Sequence, residues 1–246
     1  MREVMLERYL RQIVLPEIGM TGQSYLKQAR ILVIGAGGLG TAALYYLVAA
    51  GVGEVGVADF DVVELSNLQR QILFSEADVG KNKAEVATHR LKQLNSTIKI
   101  QIFPTKINGN NVAEIIKNYD LIMDCCDNFS TKYLLNDHCF QLKKPFLSAS
   151  LLRFSAQVGF FHQVGCLRCV FPAENQMSIP TCQDRGMLGA VSGMIGSLQA
   201  LEAIKYFIRL PSLLMGKLLC MDLLSYTTHF YQYSKDMHCA LCAVED

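Results

Sequence analysis

Gly35-Ala36-Gly37-Gly38-Leu39-Gly40 stands between an apolar run, Ala29-Arg30-Ile31-Leu32-Val33-Ile34, and a stretch of good helix formers, Thr41 to Ala50, closed by Gly51. The first reads as a buried parallel strand, the second as a helix with a glycine stop. Val55-Gly56-Val57-Ala58-Asp59 then reads as a second strand with an acid at its end. A strand, a glycine turn, a helix and a strand ending in an acid about 20 positions on form a nucleotide-binding fingerprint. The glycines let the backbone turn tightly and approach a phosphate. The helix amino terminus offers it free N–H groups and a partial positive charge. By itself the turn admits NAD, FAD or ATP.

Working outward, strands and helices alternate to about residue 150. Lys81–Leu94 has apolar residues at helical spacing (Ala84, Ala87, Leu91, Leu94), and Ile98–Ile102 alternates like a half-buried strand. A short helix is expected over Asn110–Lys117, a buried strand over Asp120–Cys126, a helix over Phe129–Leu142 and a strand over Phe146–Ser150. This order implies an α/β fold: a Rossmann-like, mostly parallel sheet with helices on both faces. After Leu151 the pattern changes. Ala156–Phe161 and Leu218–Leu223 read as strands of an antiparallel extension, and Ala190–Ile208 as a long helix. Between Val170 and Arg185 lies a polar stretch with Pro172, Pro180 and one cysteine, expected to be a long functional loop. The chain reads as a single domain, 1–246.

The composition excludes several classes. Half the residues are apolar (51%) and the net charge is +1, so no general field draws the chain to nucleic acid or membrane. No run approaches the ~20 apolar residues of a membrane span, and the charged first residues are no secretory leader. Nine cysteines without a leader suggest a reducing, cytoplasmic setting, and the odd count argues against a closed disulfide framework. The five histidines are scattered, and no Ser/His/Asp arrangement or basic aromatic stripe is readable.

Four segments carry candidate chemistry: Arg8-Tyr9-Leu10-Arg11-Gln12, the stretch Asp59 to Gln71, Lys83, and Asp124-Cys125-Cys126-Asp127-Asn128 at a strand's carboxyl end. Singly each has a plain reading, Arg11 as a surface charge, Lys83 as a solvated helix residue, Asp127 as a helix cap. Two further features are the pairs Cys166-Leu167-Arg168-Cys169 and Cys239-Ala240-Leu241-Cys242, and the loop residue Cys182. Two CxxC pairs suit tetrahedral Zn²⁺, although their wide separation leaves a redox pair or two buried pairs open.

Taken together and in this order, the RYxRQ segment, the GxGGLG turn, the D-x-D…SNLQRQ stretch and the DCxDN strand end resemble the ThiF/MoeB/HesA enzymes. These are similar to the adenylation domain of ubiquitin-activating enzymes. The resemblance covers Arg8 to Cys242. It implies ATP-dependent adenylation of the carboxyl-terminal glycine of a small ubiquitin-like sulfur-carrier protein ending in Gly-Gly, with release of pyrophosphate. A ThiS-like carrier would belong to thiamin synthesis, a MoaD-like carrier to molybdopterin synthesis.

The reaction joins two anions, so cations and a metal are expected. The resemblance assigns Gly35, Gly37, Gly38 and Gly40 to the phosphate cradle and Asp59 to the ribose. It assigns Arg11 and Lys83 to the phosphates, with Asn67 and Gln71 completing the pocket. Asp127 would hold Mg²⁺, and Arg70 would reach into the neighbouring subunit's site, which requires a homodimer. Cys166, Cys169, Cys239 and Cys242 would hold a structural zinc. Residues 1–150 would be the nucleotide-binding half and 151–246 the partner-binding, zinc-containing half. Cys182 would take the activated carboxylate or a sulfur, and the sulfur would come from a separate donor protein. The alternatives are an NAD-dependent oxidoreductase, which leaves Arg11, Gln69-Arg70-Gln71 and the CxxC pairs unexplained, and a fold that has lost its chemistry.

Overall fold

The computed structural model describes residues 2–172 and 186–243. Strand β1 (Arg30–Ile34) is flanked by β2 (Glu54–Ala58) and β4 (Leu121–Asp124), both parallel to it. Beyond β2 lies β3 (Lys99–Phe103), and beyond β4 lies β5 (Phe146–Leu152), again parallel. Three antiparallel strands continue the sheet: β6 (Ser155–Phe161), β7 (Lys217–Asp222) and β8 (Thr227–Gln232). The sheet order is β3-β2-β1-β4-β5-β6-β7-β8. The expected α/β architecture and its antiparallel extension are therefore present.

Side chains alternate across this sheet, so successive residues of one strand feed two cores. Ile31, Val33, Val55, Val57 and Met123 pack with Leu44, Leu47 and Val48 of α3 (Gly38–Ala50), Leu91 of α4 (Lys83–Leu94) and Ile195 of α8 (Gly189–Phe207). Leu32, Ile34, Ile122 and Phe146 pack on the other face with Ile115 and Ile116 of α5 (Val112–Ile116) and Leu135 of α6 (Phe129–Gln141). Burial on both faces is why the central strands read as continuous apolar runs.

Two amino-terminal helices, α1 (Arg2–Ile13) and α2 (Gly19–Gln28), close one end of the molecule. Gln12 Nε2 donates to Gln23 Oε1 (2.8 Å) and to the Ala50 carbonyl (3.1 Å), and Asn95 Nδ2 donates to the Tyr9 hydroxyl (2.8 Å). Ala50 and Asn95 mark the carboxyl ends of α3 and α4, so α1 sits at the end opposite to the glycine turn. The short helix α7 (Leu167–Val170) docks on α6: the Leu167 N–H donates to Asn136 Oδ1 (2.7 Å), and Arg168 makes a bidentate pair with Asp137.

Sequence reading found most elements but missed α1, α2, α7 and β8. Every residue of β8 is exposed, so it carries no buried-face pattern to read. The hairpin between β5 and β6 turns through Arg153, in the left-handed region at φ +57°, without the glycine that usually marks such a turn. The boundaries shift by a residue or two at β3, α5 and α8.

Candidate nucleotide site

β1 pairs with β2 on one side and β4 on the other, so the order in which strands are added to the sheet reverses at β1. Open α/β sheets bind ligands in the crevice formed there. A cleft of about 370 Å³ opens at that point. Its floor is the glycine turn. Gly35 has φ +95°, and a Cβ there would stand 2.8 Å from the Cys125 carbonyl oxygen, so glycine is required by conformation and by space. Gly37 and Gly38 line the cleft; Gly40 instead packs under the turn and is not among the lining residues.

The other walls come from the strand ends. Asp59, at the end of β2, is buried, and its carboxylate accepts the Ala36 N–H (2.7 Å) and the Asp61 N–H (2.9 Å). Burial pushes its carboxyl up from the ordinary range, opposed by those two N–H groups and by Lys83. Lys83 opens α4; its ammonium is buried and paired with Asp61 at 3.1 Å. Asn82 caps that helix, accepting the Glu85 N–H at 3.2 Å. Arg70 enters from the segment after the short helix Leu65–Asn67, its Nη1 donating to the Ser66 carbonyl (3.0 Å). Asn67 is buried and occupied with the turn, accepting the Glu64 N–H at 3.3 Å. Gln71 is buried and lines the cleft, and its Oε1 has no hydrogen-bond partner among the described residues. A buried polar atom left unpaired costs free energy, so this amide is ready for a ligand.

Asp127 follows β4. The cap of α6 is Asn128, which accepts the Thr131 N–H at 2.9 Å, so Asp127 does not serve as the cap. It is left exposed and lines the cleft. Below it the strand end is fixed by a buried cluster. Asp124 pairs with Lys132 (2.7 Å), accepts the Ser148 hydroxyl (2.5 Å) and accepts the Cys126 N–H (3.0 Å). Gln199 of α8 donates to the Asp124 carbonyl (3.0 Å).

Nine of the expected contact residues therefore meet in one cleft: Gly35, Gly37, Gly38, Asp59, Asn67, Arg70, Gln71, Lys83 and Asp127. Arg70 lines the cleft of its own chain. Arg11 does not reach it: α1 is tied to the far end of α3, a helix of 13 residues and thus about 20 Å long. Cys182 lies outside the described residues. Phe60 and Asp61, in the candidate stretch but given no role from sequence, also line the cleft, and so does Lys106, which sequence reading missed; they lie within three residues of the ends of β2 and β3.

Away from the cleft, Cys166, Cys169, Cys239 and Cys242 converge, their sulfurs all within 4.8 Å of one another. The measured separations run from 3.2 Å (Cys169–Cys242) to 3.9 Å (Cys166–Cys242). A disulfide would need about 2.05 Å. Tetrahedral Zn²⁺ with Zn–S near 2.3 Å places its sulfurs about 3.8 Å apart. The convergence of all four sulfurs fits one metal ion. Burial pushes the Cys166 thiol up, and a cation bound at the cluster would act in the opposite direction.

The fold and cleft define an α/β protein of the nucleotide-binding type, with a four-cysteine cluster able to hold a metal ion. The model of the ThiF family matches residues 9–241, and the chain belongs to that family. It is 41% identical to a sulfur carrier protein adenylyltransferase of Thermus thermophilus, over 98% of this chain and 92% of that one. It is 46% identical to the adenylyltransferase and sulfurtransferase MOCS3 of Culex quinquefasciatus, over 87% of this chain and 50% of that one. Among solved structures it resembles E. coli MccB with MccA-N7isoASN (TM-score 0.85, 25% identity, 96% of this chain and 74% of that one). It also resembles E. coli MccB with ATP (TM-score 0.81, 26% identity, 90% and 68%).

Proposed function

We propose that the chain is an adenylyltransferase that activates the carboxyl-terminal glycine of a small ubiquitin-like sulfur carrier with ATP, releasing pyrophosphate. The names of its relatives support the class of reaction, and the likeness to MccB with ATP supports the nucleotide. The observation that carries the reading is the convergence of Arg70, Lys83 and Asp127 on the amino end of α3. A dinucleotide cleft would account for the glycine turn and Asp59 but give those three side chains no work.

In this account Asp59 takes the ribose hydroxyls and the glycine turn cradles the phosphates. The carrier's carboxylate oxygen attacks the α-phosphorus. A new P–O bond forms, the bond to the β-phosphate oxygen breaks, and its electron pair leaves with pyrophosphate. Lys83, Arg70 and the helix amino terminus stabilise the charge that gathers there. Asp127 would hold Mg²⁺, which would supply positive charge to offset that of the phosphates. The acyl-adenylate then takes sulfur supplied by a separate donor protein, the acyl C–O bond breaking as AMP leaves. Cys182 is the thiol that receives the acyl group, with AMP as the leaving group, or the outer sulfur of a donor persulfide, whose thiol is released.

If Arg11 also serves the phosphates, it must come from a second copy of the chain. The homodimer is therefore retained, with Arg11 in place of Arg70 as the residue contributed across it. Zinc at the four cysteines would clip the tail to α7 and has no open position for catalysis. We assign the enzyme to the cytoplasm, in thiamin or molybdopterin synthesis according to whether its carrier is ThiS-like or MoaD-like.

The test is carrier-dependent exchange of labelled pyrophosphate into ATP, with one ThiS-like and one MoaD-like carrier. Exchange with either, lost in Asp127→Ala and Arg70→Ala, supports the reading. No exchange with both, together with tight NAD binding, overturns it.

A further inference from the structure

Asp61 stands between the residues assigned to ribose and phosphate and touches both. Its N–H donates to Asp59 Oδ1 at 2.9 Å. Its carbonyl accepts the Lys83 N–H at 2.9 Å and Asn82 Nδ2 at 3.3 Å. Its carboxylate holds the Lys83 ammonium at 3.1 Å. Val62 and Asn82 form a bridge just beyond, and the Val63 N–H donates to the Lys81 carbonyl at 2.8 Å, so the end of β2 is stitched to the start of α4.

The two partners differ sharply in exposure: the Lys83 side chain is 7% accessible and that of Asp61 50%. The lysine is fixed in the wall, and the carboxylate projects into the cleft. No other hydrogen-bond or ion-pair partner of the Lys83 ammonium occurs among the described residues, so its direction is set by Asp61. With one N–H directed to Asp61, two remain for phosphate oxygens.

We propose that Asp61 is a positioning residue for adenylation, holding Lys83 aimed at the phosphates while its peptide group fixes Asp59 and the start of α4. The proposal rests on the adenylation reading. It assigns the carboxylate a cost as well as a use. An anion projecting into the cleft repels a triphosphate, so it weakens ATP binding while ordering the lysine that acts when charge transfers. Positioning and binding are thereby separable.

Asp61→Asn keeps the peptide links and the side-chain shape and removes only the charge. A half-exposed ion pair adds little to stability, so the variant should melt like the parent. The expected result is a turnover in carrier-dependent pyrophosphate exchange lowered on the order of tenfold. The dissociation constant for α,β-methylene ATP, measured by calorimetry, should be unchanged or lower. Asp61→Glu, which restores the anion, should recover part of the turnover. Weaker nucleotide binding with a lowered melting temperature in Asp61→Asn would show a merely structural role and overturn the proposal. Exchange equal to the parent would overturn it as well, leaving the adenylation reading intact. Failure of the parent protein itself to exchange with either carrier would overturn both.

Discussion

Replacing Lys132 by methionine tests how the cleft is held in place. The Asp124 side chain is fully buried and that of Lys132 is 3% accessible, and the two lie 2.7 Å apart. Lys132 also donates to the Ala149 carbonyl at 2.7 Å, tying α6 to β5. Methionine matches the lysine stem but leaves the carboxylate, among the described residues, with the Ser148 hydroxyl and Cys126 and no cation. Breaking one partner of a buried pair costs about 3–5 kcal/mol, because the remaining charge is uncompensated. Total stability of a domain is about 5–15 kcal/mol, so the loss is a large share of it. At this length about 4 kcal/mol corresponds to a melting point lower by roughly 8–16 °C. Urea unfolding followed by circular dichroism measures it directly. The double variant Lys132→Met with Asp124→Asn, which removes the stranded charge, should recover more than half of the loss. A single-variant loss below about 1 kcal/mol, the size expected of a surface pair, would refute the reasoning.

Two further outcomes are expected. Metal analysis should give about one zinc per chain, and stripping it with a strong chelator should expose four titratable thiols and lower the melting point; a metal-free protein of unchanged stability would contradict the assignment. At acid pH a contribution from Asp78 should appear. Burial opposes its ionised form, but hydrogen bonds from the Ser75 hydroxyl and N–H and the Arg90 guanidinium hold its carboxyl down at about 2. A carboxyl depressed below its unfolded value of about 3.9 stabilises the fold above that pH, and the contribution is lost as pH falls toward 2. Asp78→Asn should flatten the stability curve across that window, and an unchanged slope would show that the pairing does not act on stability.

The parallel half was legible because physics writes it plainly. Ile31–Ile34 of β1 and Leu121–Met123 of β4 are buried and read as apolar runs, and Gly35 must be glycine because Cys125 leaves no room for a side chain. Lys83 and Asp127 were reachable from their places at a helix start and a strand end. What the sequence concealed were relations set by packing. The pairing of Lys83 with Asp61, and the fastening of the Asp127 loop by Lys132 and Gln199, join positions far apart in the chain. The side of the molecule on which Arg11 falls depends on where α1 docks, and Gln12 and Tyr9 decide that through contacts with Ala50 and Asn95. The two CxxC pairs were visible, but only the docking of α7 on α6 explains how pairs so distant in sequence meet.

The most direct test of the central claim is the intact mass of a Gly-Gly carrier after brief incubation with the protein, ATP and Mg²⁺. The account predicts a carrier heavier by one AMP, with the added group on its terminal glycine and removed by hydroxylamine. The gain should be absent when Asp127→Ala replaces the parent protein. A carrier of unchanged mass, with ThiS-like and MoaD-like proteins alike, would contradict the account.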